Sequence, residues 1–407
     1  MLDMASPAVI PADLSARMER RSARRTAVCV ISFLTLVDLF AAQAVLPALA
    51  AAYRVSPASM GLAVNACTFG MAIAGIGMAL FGHRIPRRHG IIASLTMLSI
   101  PTALLVFEPP LAVFAGVRVL QGVFMAAAFT LTMAYLAEHT SADDVAGALA
   151  AYVTGNVASN LVGRLLSAAI VDHAGLAVNF LVLAGLNLAG AALVRVAFEP
   201  GPAVRAGAAG SGLRHAAAWI THLRNPPLAT TFAIGFLILF AFIGTFTYVN
   251  FVLVRAPLAL SQMSLGLVYL VFLPALVATP LTGGLSERIG AARVLRIAFA
   301  AALAGLPLLL MPSLAVVLAG LALVGAGAFA AQAVATGFVA RLAGSDRGAA
   351  SGLYLAAYYL GGLAGSAVLG SVFDRAGWPA CTGVIAVALA LALALTWRLQ
   401  SPPRQCA

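Results

Sequence analysis

The feature that most constrains the fold of this chain is a series of apolar runs, each about 20 residues long. An α-helix of that length crosses the hydrocarbon core of a bilayer. Proline, glycine or charged residues separate the runs, which predicts an all-α, polytopic membrane protein with twelve transmembrane helices. The predicted spans fall at about 27–52, 57–82, 90–107, 111–137, 146–171, 177–197, 227–253, 261–284, 294–311, 314–339, 348–373 and 378–397.

The composition excludes a soluble protein with an ordinary core. Hydrophobic residues make up 62% of the 407-residue chain and charged residues 9%, whereas about a quarter of a soluble domain is charged. The formal net charge of +11 comes from 24 basic residues that are all arginine, and most of them lie in the connections between spans. We therefore expect the lipid bilayer, and not nucleic acid, as the partner of this positive charge.

The distribution of arginine predicts the orientation of the protein. If the N-terminus is cytoplasmic, nineteen arginines fall in cytoplasmic segments, three in outer loops and two, Arg118 and Arg164, within spans. An excess of positive charge in cytoplasmic loops is the general rule for membrane proteins. The first apolar run is too long for the core of a signal peptide, so it is expected to remain as a span. We therefore predict a multi-pass protein of the inner membrane with both termini in the cytoplasm.

The two halves of the chain resemble each other. A shift of 202 residues places Tyr152 on Tyr354 (354 − 152) and Gly175 on Gly377 (377 − 175). Like topology in both halves predicts a pseudo-twofold axis along the membrane normal, with a cavity between the halves near mid-bilayer. The predicted organisation is an N-terminal tail, a first six-helix bundle, a cytoplasmic linker, a second six-helix bundle and a C-terminal tail, at 1–26, 27–197, 198–226, 227–397 and 398–407.

A charge pair at membrane depth is the first candidate functional site. Arg118 lies about one-third of the way into the apolar run 111–137, where a guanidinium costs about 2.5–3.5 kcal/mol. Asp38 is the only acidic residue in the middle of a predicted span. At a rise of about 1.5 Å per residue the depths of the two residues differ by about 3–5 Å. We therefore expect the two side chains to meet in a wet crevice shared by the two bundles.

The expected role of this pair is proton coupling. Burial favours the protonated form of a carboxyl group, and a nearby guanidinium favours the ionised form. A rocking motion that changes both surroundings would let Asp38 load and release a proton. The alternative is a static ion pair between Asp38 and Arg118 that only holds the first and fourth helices together.

Polar and aromatic residues in several spans are candidates for the wall of a substrate cavity. Asn156, Asn160 and Arg164 are spaced by four residues and share one face of the fifth helix. Tyrosines and amides of the second half suit an apolar or amphipathic solute. The alternative is that these groups only join helices by hydrogen bonds, or that Arg164 reaches the headgroups. The predicted lining residues are Gln121, Asn156, Asn160, Arg164, Tyr248, Asn250, Gln332, Tyr354 and Tyr358.

Three motifs point to a known family. The loop 283–293 matches the signature G-x3-D-R-x-G-x2-R, with Glu287 in place of aspartate. Residues 118–122 match the stretch R-x-x-Q-G of a fourth helix, and Leu-Pro at 46–47 closes the first helix. With these motifs the chain resembles the major facilitator superfamily, and within it the twelve-span drug:proton antiporter branch that also contains sugar and nucleoside exporters.

The signature loops also suggest a conformational latch. A carboxylate at a helix N-terminus and a network of arginines would tie helices together in one state. The copy after the second span departs from the family, with His83 at the acidic position and Pro86 at the glycine. Helix five also lacks the Gly-Pro pair that drug antiporters of this branch usually show. The predicted latch residues are His83, Arg84, Arg87, Arg88, Glu287, Arg288, Gly290 and Arg293.

The resemblance implies alternating access by two halves, and it associates the helix-four arginine with proton coupling. We therefore expect a monomeric, proton-coupled exporter of a small organic molecule that is drug-like, sugar-like or nucleoside-like. A proton symporter or facilitator for uptake is the alternative, and an intramembrane enzyme or a non-transporting sensor is less favoured. The six histidines lie in loops or at their edges, and the four cysteines show no metal-binding spacing. We therefore expect no catalytic residue, no metal and no cofactor.

Overall fold

The computed structural model describes residues 12–140, 142–199, 221–343 and 347–399. Every regular element among these residues is helical, which confirms the predicted all-α class. Most of the predicted linker 198–226 lies outside the described residues. The backbone alone is described at 12–22, 83, 137, 142–146, 149–150, 153, 276–280, 283 and 347.

The helices follow the predicted spans and are labelled α1 to α12. The first bundle contains α1 (Ala12–Ala44), α2 (Pro57–Phe81), α3 (Arg87–Leu104), α4 (Leu111–His139), α5 (142–174) and α6 (176–197). The second bundle contains α7 (Pro226–Leu253), α8 (Gln262–Val268 and Leu273–Ile289), α9 (Ala291–Gly305), α10 (Leu314–Leu342), α11 (347–376) and α12 (378–395). A short helix, Leu46–Tyr53, follows α1.

The number of membrane-spanning helices is consistent with the predicted twelve. Within the described residues, nine helices are long and apolar enough to cross a membrane, and two of these contain two spans each. The broken helix α8 brings the total to twelve, as nine plus two plus one. Its two parts are joined by the turn Tyr269–Phe272. Pro274 opens the second part, and a proline cannot donate the backbone hydrogen bond that would continue the first.

Two glycines turn the chain between neighbouring spans. Gly175, between α5 and α6, has φ = +84°, and Gly377, between α11 and α12, has φ = +74°. Glycine adopts these angles without the steric cost that other residues meet. The two turns are separated by the 202 residues of the sequence repeat (377 − 175). Ser56 and Ser261 likewise cap the equivalent helices α2 and α8, each accepting a backbone N–H at 3.2 Å. The internal repeat is therefore present in the structure.

Glycines at helix crossings bring backbones together inside each bundle. A side chain at Gly122 of α4 would collide with the backbone carbonyl of Cys67 in α2. A side chain at Gly361 of α11 would collide with the carbonyl of Phe236 in α7. Small residues at such crossings are a general device for packing membrane helices. Because Arg118 lies one turn before Gly122, the close crossing also aims its side chain at α2.

The two ends of the helical bundles differ in charge, and we name them accordingly. The loops α2–α3 and α8–α9 form the arginine-rich face, which carries Arg84, Arg87, Arg88, Arg288 and Arg293. The turns at Gly175 and Gly377, together with Ser56 and Ser261, lie at the opposite end, the arginine-poor face. These names describe the chain without reference to the compartments on either side.

The bundles pack together along two crossings that the repeat relates. Between α2 and α11, Ala58 N donates to Asp374 Oδ1 at 3.4 Å near the arginine-poor face. Towards the arginine-rich face, a side chain at Gly352 would meet Ala79 at 2.6 Å, so the contact runs along most of both helices. Between α5 and α8, Gly266 packs against Ala168 near the arginine-poor face.

Candidate functional site

Arg118 is buried inside the first bundle, where its hydrogen-bonding groups find partners. Its side chain is 1% exposed. Nε donates to the carbonyl of Val64 at 2.9 Å, and Nη2 contacts Cys67 Sγ at 3.2 Å, so α2 takes one side of the guanidinium. Nη1 donates to Gln121 Oε1 at 2.8 Å and to the backbone carbonyl of Asp38 at 3.3 Å. The guanidinium therefore joins three helices, α1, α2 and α4.

Asp38 lies beside this network but forms no ion pair with Arg118 or any other described residue. Its Oδ1 accepts a hydrogen bond from the Thr102 hydroxyl at 3.1 Å. Gln121 Nε2 donates to the same hydroxyl at 2.7 Å. The carboxyl group and the guanidinium are thus connected through Gln121 and Thr102 instead of the direct pair that we expected. Asp38 Oδ2 is buried and has no hydrogen-bond partner among the described residues.

The location of the pair corrects a second expectation. Asp38 and Arg118 lie inside the first bundle, not in a crevice shared by the two bundles. The Asp38 carboxyl group points towards Thr102 of α3, and Asn187 Nδ2 of α6 lies 3.4 Å from the same hydroxyl. Polar groups inside a membrane bundle find partners on neighbouring helices because lipid offers none. The interior of the first bundle supplies them, so the pair faces inward.

Arg164 of α5 is buried between the bundles in an aromatic environment. Its side chain is 0% exposed, and Nη2 donates to Gln43 Oε1 at 2.6 Å. The guanidinium carbon lies 4.1 Å from the centre of the Tyr269 ring, within the range of a cation–π interaction. Rings of Phe40, Phe246 and Phe272 lie 5.5, 6.0 and 5.7 Å away. The alternative that this arginine reaches the headgroups does not hold in this structure, because the side chain is buried among these rings.

A hydrogen-bonded network joins the two bundles near the arginine-poor face. Gln43 Nε2 donates to Asn65 Oδ1 at 2.8 Å, and Asn65 Nδ2 donates to Ser366 Oγ at 3.2 Å. Asn250 Nδ2 donates to the carbonyl of Gln43 at 2.9 Å, and Asn250 Oδ1 accepts from the Tyr269 hydroxyl at 2.6 Å. All these side chains are fully buried. We name these five residues the closure network, because they shut the space between the bundles at this end.

Sequence reasoning found only part of this network. Asn250 was a predicted lining residue, and so was Tyr248, whose hydroxyl donates to the Ser366 carbonyl at 2.5 Å. Gln43, Asn65 and Tyr269 were missed as functional residues. Their signal was present, since each is a hydrogen-bonding side chain within or beside an apolar run. The pairing across bundles is a property of the packing and cannot be read from that pattern.

The other predicted lining residues lie in two environments. Asn156 of α5 and Gln332 of α10 are half-buried. Asn160 is fully buried, and neither atom of its amide has a partner in the described part of the chain. Tyr354 and Tyr358 of α11 are buried, with stacked rings 6.1 Å apart. The structure thus brings Asn160 beside Arg164, and it separates both from Gln121, which belongs to the Arg118 network.

In the first signature loop, the contacts of the predicted latch residues lie within one bundle. Arg87 forms an ion pair with Glu138 at 2.8 Å, which ties the start of α3 to the end of α4. Arg88 Nη2 donates to the carbonyl of Arg195 at 2.7 Å, which ties α3 to α6. Arg84 is exposed. Glu138 was not predicted, because the acidic position was expected inside the loop and not at the end of another helix.

In the second signature loop, the predicted latch residues are open to their surroundings. Glu287, Arg288 and Arg293 are exposed and pair with no other described residue. Gly290 has φ = +90°, so it makes the turn from α8 into α9 that the signature glycine implies. The side chain of His83 lies outside the described residues. In this conformation the second loop therefore does not fasten the arginine-rich face.

The chain belongs to the Major Facilitator Superfamily, whose family model matches residues 28–272 and 253–405. It is 28% identical over 368 residues to the inner membrane transport protein YnfM of Escherichia coli (strain K12), covering 90% of this chain and 87% of that protein. It is 24% identical over 369 residues to an MFS-type transporter, YybF, of Bacillus subtilis (strain 168), covering 89% and 90%.

Solved structures agree with the fold. The nucleoside transporter NupG superposes with a TM-score of 0.73 at 12% identity, covering 93% of this chain and 98% of that one. A bacterial homolog of the human lysosomal transporter Spinster superposes with a TM-score of 0.72 at 16% identity, covering 93% and 96%. The protein is therefore a multi-pass membrane transporter of this superfamily and not an enzyme.

Proposed function

We propose that this transporter is a secondary active exporter that moves a small organic molecule out of the cell in exchange for protons. Membership of the superfamily establishes a membrane transporter of small molecules. The proposal adds the direction of transport, its coupling to protons, and a solute that is drug-like, sugar-like or nucleoside-like. Its main support is the unpaired, buried carboxyl oxygen of Asp38 beside the Arg118 network.

Asp38 has the geometry of a site that alternates between proton-bound and proton-free forms. A direct ion pair would hold a carboxylate in its charged form. Here the carboxyl group accepts a hydrogen bond from the Thr102 hydroxyl at Oδ1, the Asn187 amide lies beside that hydroxyl, and Oδ2 has no hydrogen-bond partner among the described residues. That oxygen can take a proton without breaking a salt bridge. Arg118 remains close enough, through Gln121, to respond to the charge on Asp38.

The same network offers a path from the carboxyl group to the contact between bundles. Arg118 holds the backbone of α2 through the Val64 carbonyl. The helix α2 packs along α11 of the second bundle, from Ala58 to Ala79. A change of charge on Asp38 therefore acts on the helix whose opposite side forms the joint between the bundles. This connection supports coupling of protonation to rocking of the halves.

We assign the arginine-rich face to the cytoplasm, because positive charge accumulates in cytoplasmic loops. The closure network then shuts the outer side in this conformation. Transport requires the opposite state, in which the halves 27–197 and 227–397 rock apart at the network, and we propose that a monomer completes this cycle. Residues of both bundles form the network, so it must break each time the outer side opens.

The proposal is tested in everted membrane vesicles that contain the full chain and an interior-acid pH gradient. Ethidium, uridine and arabinose represent the drug-like, nucleoside-like and sugar-like classes. An exporter exchanges at least one of them for protons, and an acridine dye reports the loss of the gradient. We expect Asp38→Asn to reduce this response at least tenfold, while Glu108→Gln, an exposed acid in the α3–α4 turn, leaves it unchanged.

Three results would overturn the proposal. A wild-type response in Asp38→Asn would show that this carboxyl group does not couple protons. Accumulation of a solute in right-side-out vesicles, driven by an inward proton gradient, would identify a symporter for uptake instead. Uptake in those vesicles that is independent of pH would identify a facilitator.

A further inference from the structure

We propose that Arg164 and Asn160 bind the anionic group of an aromatic monocarboxylate, whose ring lies against the phenylalanines between the two bundles. This inference rests on the proposed function and narrows the class of its solute.

The charge of Arg164 has no counter-charge. Gln43 Oε1 accepts a hydrogen bond from Arg164 Nη2, the Tyr269 side chain lies against the guanidinium, and no carboxylate of the described residues forms an ion pair with it. The Tyr269 ring at 4.1 Å offsets part of the cost through a cation–π interaction. A buried charge without an ionic partner is costly to keep. An anion that is present for part of the transport cycle would supply the missing charge.

Four buried polar atoms lie together on one face of α5. They are Nε and Nη1 of Arg164 and both amide atoms of Asn160, and none has a hydrogen-bond partner in the described residues. The two residues are four positions apart, so their side chains are one turn apart on the same face. A carboxylate that displaces Gln43 from Nη2 would face two parallel N–H groups, those of Nη2 and of either Nε or Nη1. The Asn160 amide adds a third donor to the same oxygens.

Aromatic rings form a continuous wall from Arg164 to a more open region. The Phe272 ring lies 5.7 Å from the Arg164 guanidinium and 5.6 Å from the ring of Phe329. Phe329 of α10 is half-buried, as is Gln332 one turn further along the same helix. Ring pairs at these distances attract an additional aromatic group in stacked or edge-on geometry. A solute with an aromatic body therefore fits this wall.

The number of available positive charges favours a single negative charge on the solute. Arg118 is occupied by Val64, Gln121 and Cys67 inside the first bundle. Arg164 is therefore the one buried cation of the described spans that is free to meet a solute. A dianion would bring a second charge with no buried partner, which is costly in low dielectric.

Binding at Arg164 would also act on the closure network. A carboxylate competes with Gln43 for the guanidinium, and Gln43 holds both Asn65 and Asn250. Loss of the Arg164 contact frees the Gln43 side chain and weakens the bonds that join the bundles. A ligand shifts a conformational equilibrium by its difference in affinity for the two states. The anion therefore favours opening at the arginine-poor face.

The test measures equilibrium binding of labelled benzoate to the purified full chain in phosphatidylcholine nanodiscs, without a pH gradient. Benzamide, benzylammonium and phthalate serve as neutral, cationic and dianionic competitors of similar shape. We expect each competitor to bind at least tenfold more weakly than benzoate. The proposal would be overturned if all three competitors displaced the label as well as unlabelled benzoate does, or if benzoate binding were not saturable.

Variants identify the residues that hold the anion. We expect Arg164→Gln to weaken benzoate binding at least tenfold, Asn160→Ala to weaken it about threefold, and Arg164→Lys to keep part of the affinity. Arg255→Gln is the matched control, because Arg255 is an exposed arginine 5.8 Å from the Phe373 ring. Unchanged affinity in folded Arg164→Gln would place the anion elsewhere. If Arg164→Gln does not fold, the proposal is tested by the benzoate affinity of Arg164→Lys and by the competitor series, and an unchanged affinity in Arg164→Lys together with equally strong competitors would contradict it.

Binding without a gradient separates this inference from the proposed function. Asp38→Asn is expected to bind benzoate as the wild type does, because the Asp38 carboxyl group contacts Thr102 of α3 and has no hydrogen bond or ion pair with Arg164. Benzoate binding without any proton exchange by benzoate in the everted vesicles would contradict the proposed coupling and leave the anion site intact. Proton exchange of uridine or ethidium without benzoate binding would contradict the anion site alone.

Discussion

Arg118 and Arg164 are both buried in membrane spans, at 1% and 0% exposure, yet their surroundings differ in kind. Arg118 donates to oxygen and sulfur atoms of α1, α2 and α4, all within the first bundle. Arg164 donates to Gln43 and is otherwise surrounded by aromatic rings of both bundles. All partners of Arg118 belong to the first bundle, whereas Arg164 contacts Gln43 and Phe40 of the first bundle and three rings of the second.

The comparison shows two ways to keep a guanidinium inside a membrane. One is a set of hydrogen bonds to acceptors of a single bundle, as at Arg118. The other is enclosure by aromatic rings of both bundles, as at Arg164, where the interaction with the cation does not need directed acceptors. The second arrangement leaves N–H groups available to another partner. An internal coupling role suits Arg118, and a contact with the solute suits Arg164.

The largest expected effect is on stability, and it separates the two arginines directly. Arg118→Ala removes the partner of the Val64 carbonyl and of the Gln121 side chain, which remain buried. Breaking such a buried charged network costs about 3–5 kcal/mol. Arg164→Gln loses one hydrogen bond and a cation–π contact, so we expect a cost of about 1–2 kcal/mol. The stabilities of both variants are measured by thermal unfolding in detergent, with size-exclusion chromatography as the readout of folded protein.

Arg118→Lys is the matched control for charge. It keeps a cation but cannot reach the Val64 carbonyl and Gln121 with the planar geometry of arginine. We expect partial recovery of stability relative to Arg118→Ala. Equal losses of stability in Arg118→Ala and Arg164→Gln would remove the distinction between the two sites.

The second prediction opens the end of the molecule where Arg164 lies. A side chain at Gly266 of α8 would come within 2.5 Å of the Ala168 side chain of α5. Gly266→Leu therefore prevents α5 and α8 from closing at the arginine-poor face. We expect the thiol introduced by Gln43→Cys to react with a membrane-impermeant reagent at least tenfold faster when Gly266→Leu is also present than when it is absent. The rate is measured from the outer side of whole cells.

The control for this prediction is Gly116→Leu. Gly116 of α4 is exposed, and a side chain there would have no neighbour within 4 Å. This change adds the same leucine to another span without separating the bundles, so the cysteine should remain protected. A slow reaction in Gly266→Leu would mean that the α5–α8 crossing does not control access to the closure network.

The sequence predicted the parts of the structure that depend on local pattern. Apolar runs predicted the spans, because a helix must satisfy its own backbone in lipid. The sequence repeat aligned Gly175 with Gly377, and both have a positive φ in the structure because the same turn needs the same residue. The break in α8 at Tyr269–Phe272 was missed, because the apolar run 261–284 continues across it.

The predictions that failed concern partners contributed by other helices. Helical depth placed Asp38 and Arg118 near each other, but the rotation of α1 decides whether the carboxyl group faces the guanidinium or Thr102. Arg164 lies near one end of its span, so a position among headgroups fitted the sequence equally well. Its enclosure by Tyr269 and Phe272 depends on packing between bundles, on which span pattern gives no information.

The third prediction divides the effect of Tyr269 into its ring and its hydroxyl group. Tyr269→Phe keeps the ring beside Arg164 but loses the 2.6 Å hydrogen bond to Asn250. A hydrogen bond of this kind contributes about 1 kcal/mol. We expect Gln43→Cys to react about fivefold faster in this background, less than in Gly266→Leu. Tyr358→Phe, outside the closure network, should leave the rate unchanged, and an equal increase there would contradict a specific role of the network.

The smallest expected effect concerns an arginine at the water boundary. Arg87 pairs with Glu138 at 2.8 Å, with side chains that are 19% and 47% exposed. Ion pairs in water contribute about 0–1 kcal/mol, because solvent screens both charges. We expect Glu138→Gln to lower the free energy of unfolding by less than about 1 kcal/mol. Arg87 also donates to the carbonyls of Gly82 and Ile85, which keeps it in place. If Glu138→Gln lowered the free energy of unfolding as much as Arg118→Ala does, solvent exposure would not explain how much Arg118, Arg164 and Arg87 each contribute to stability.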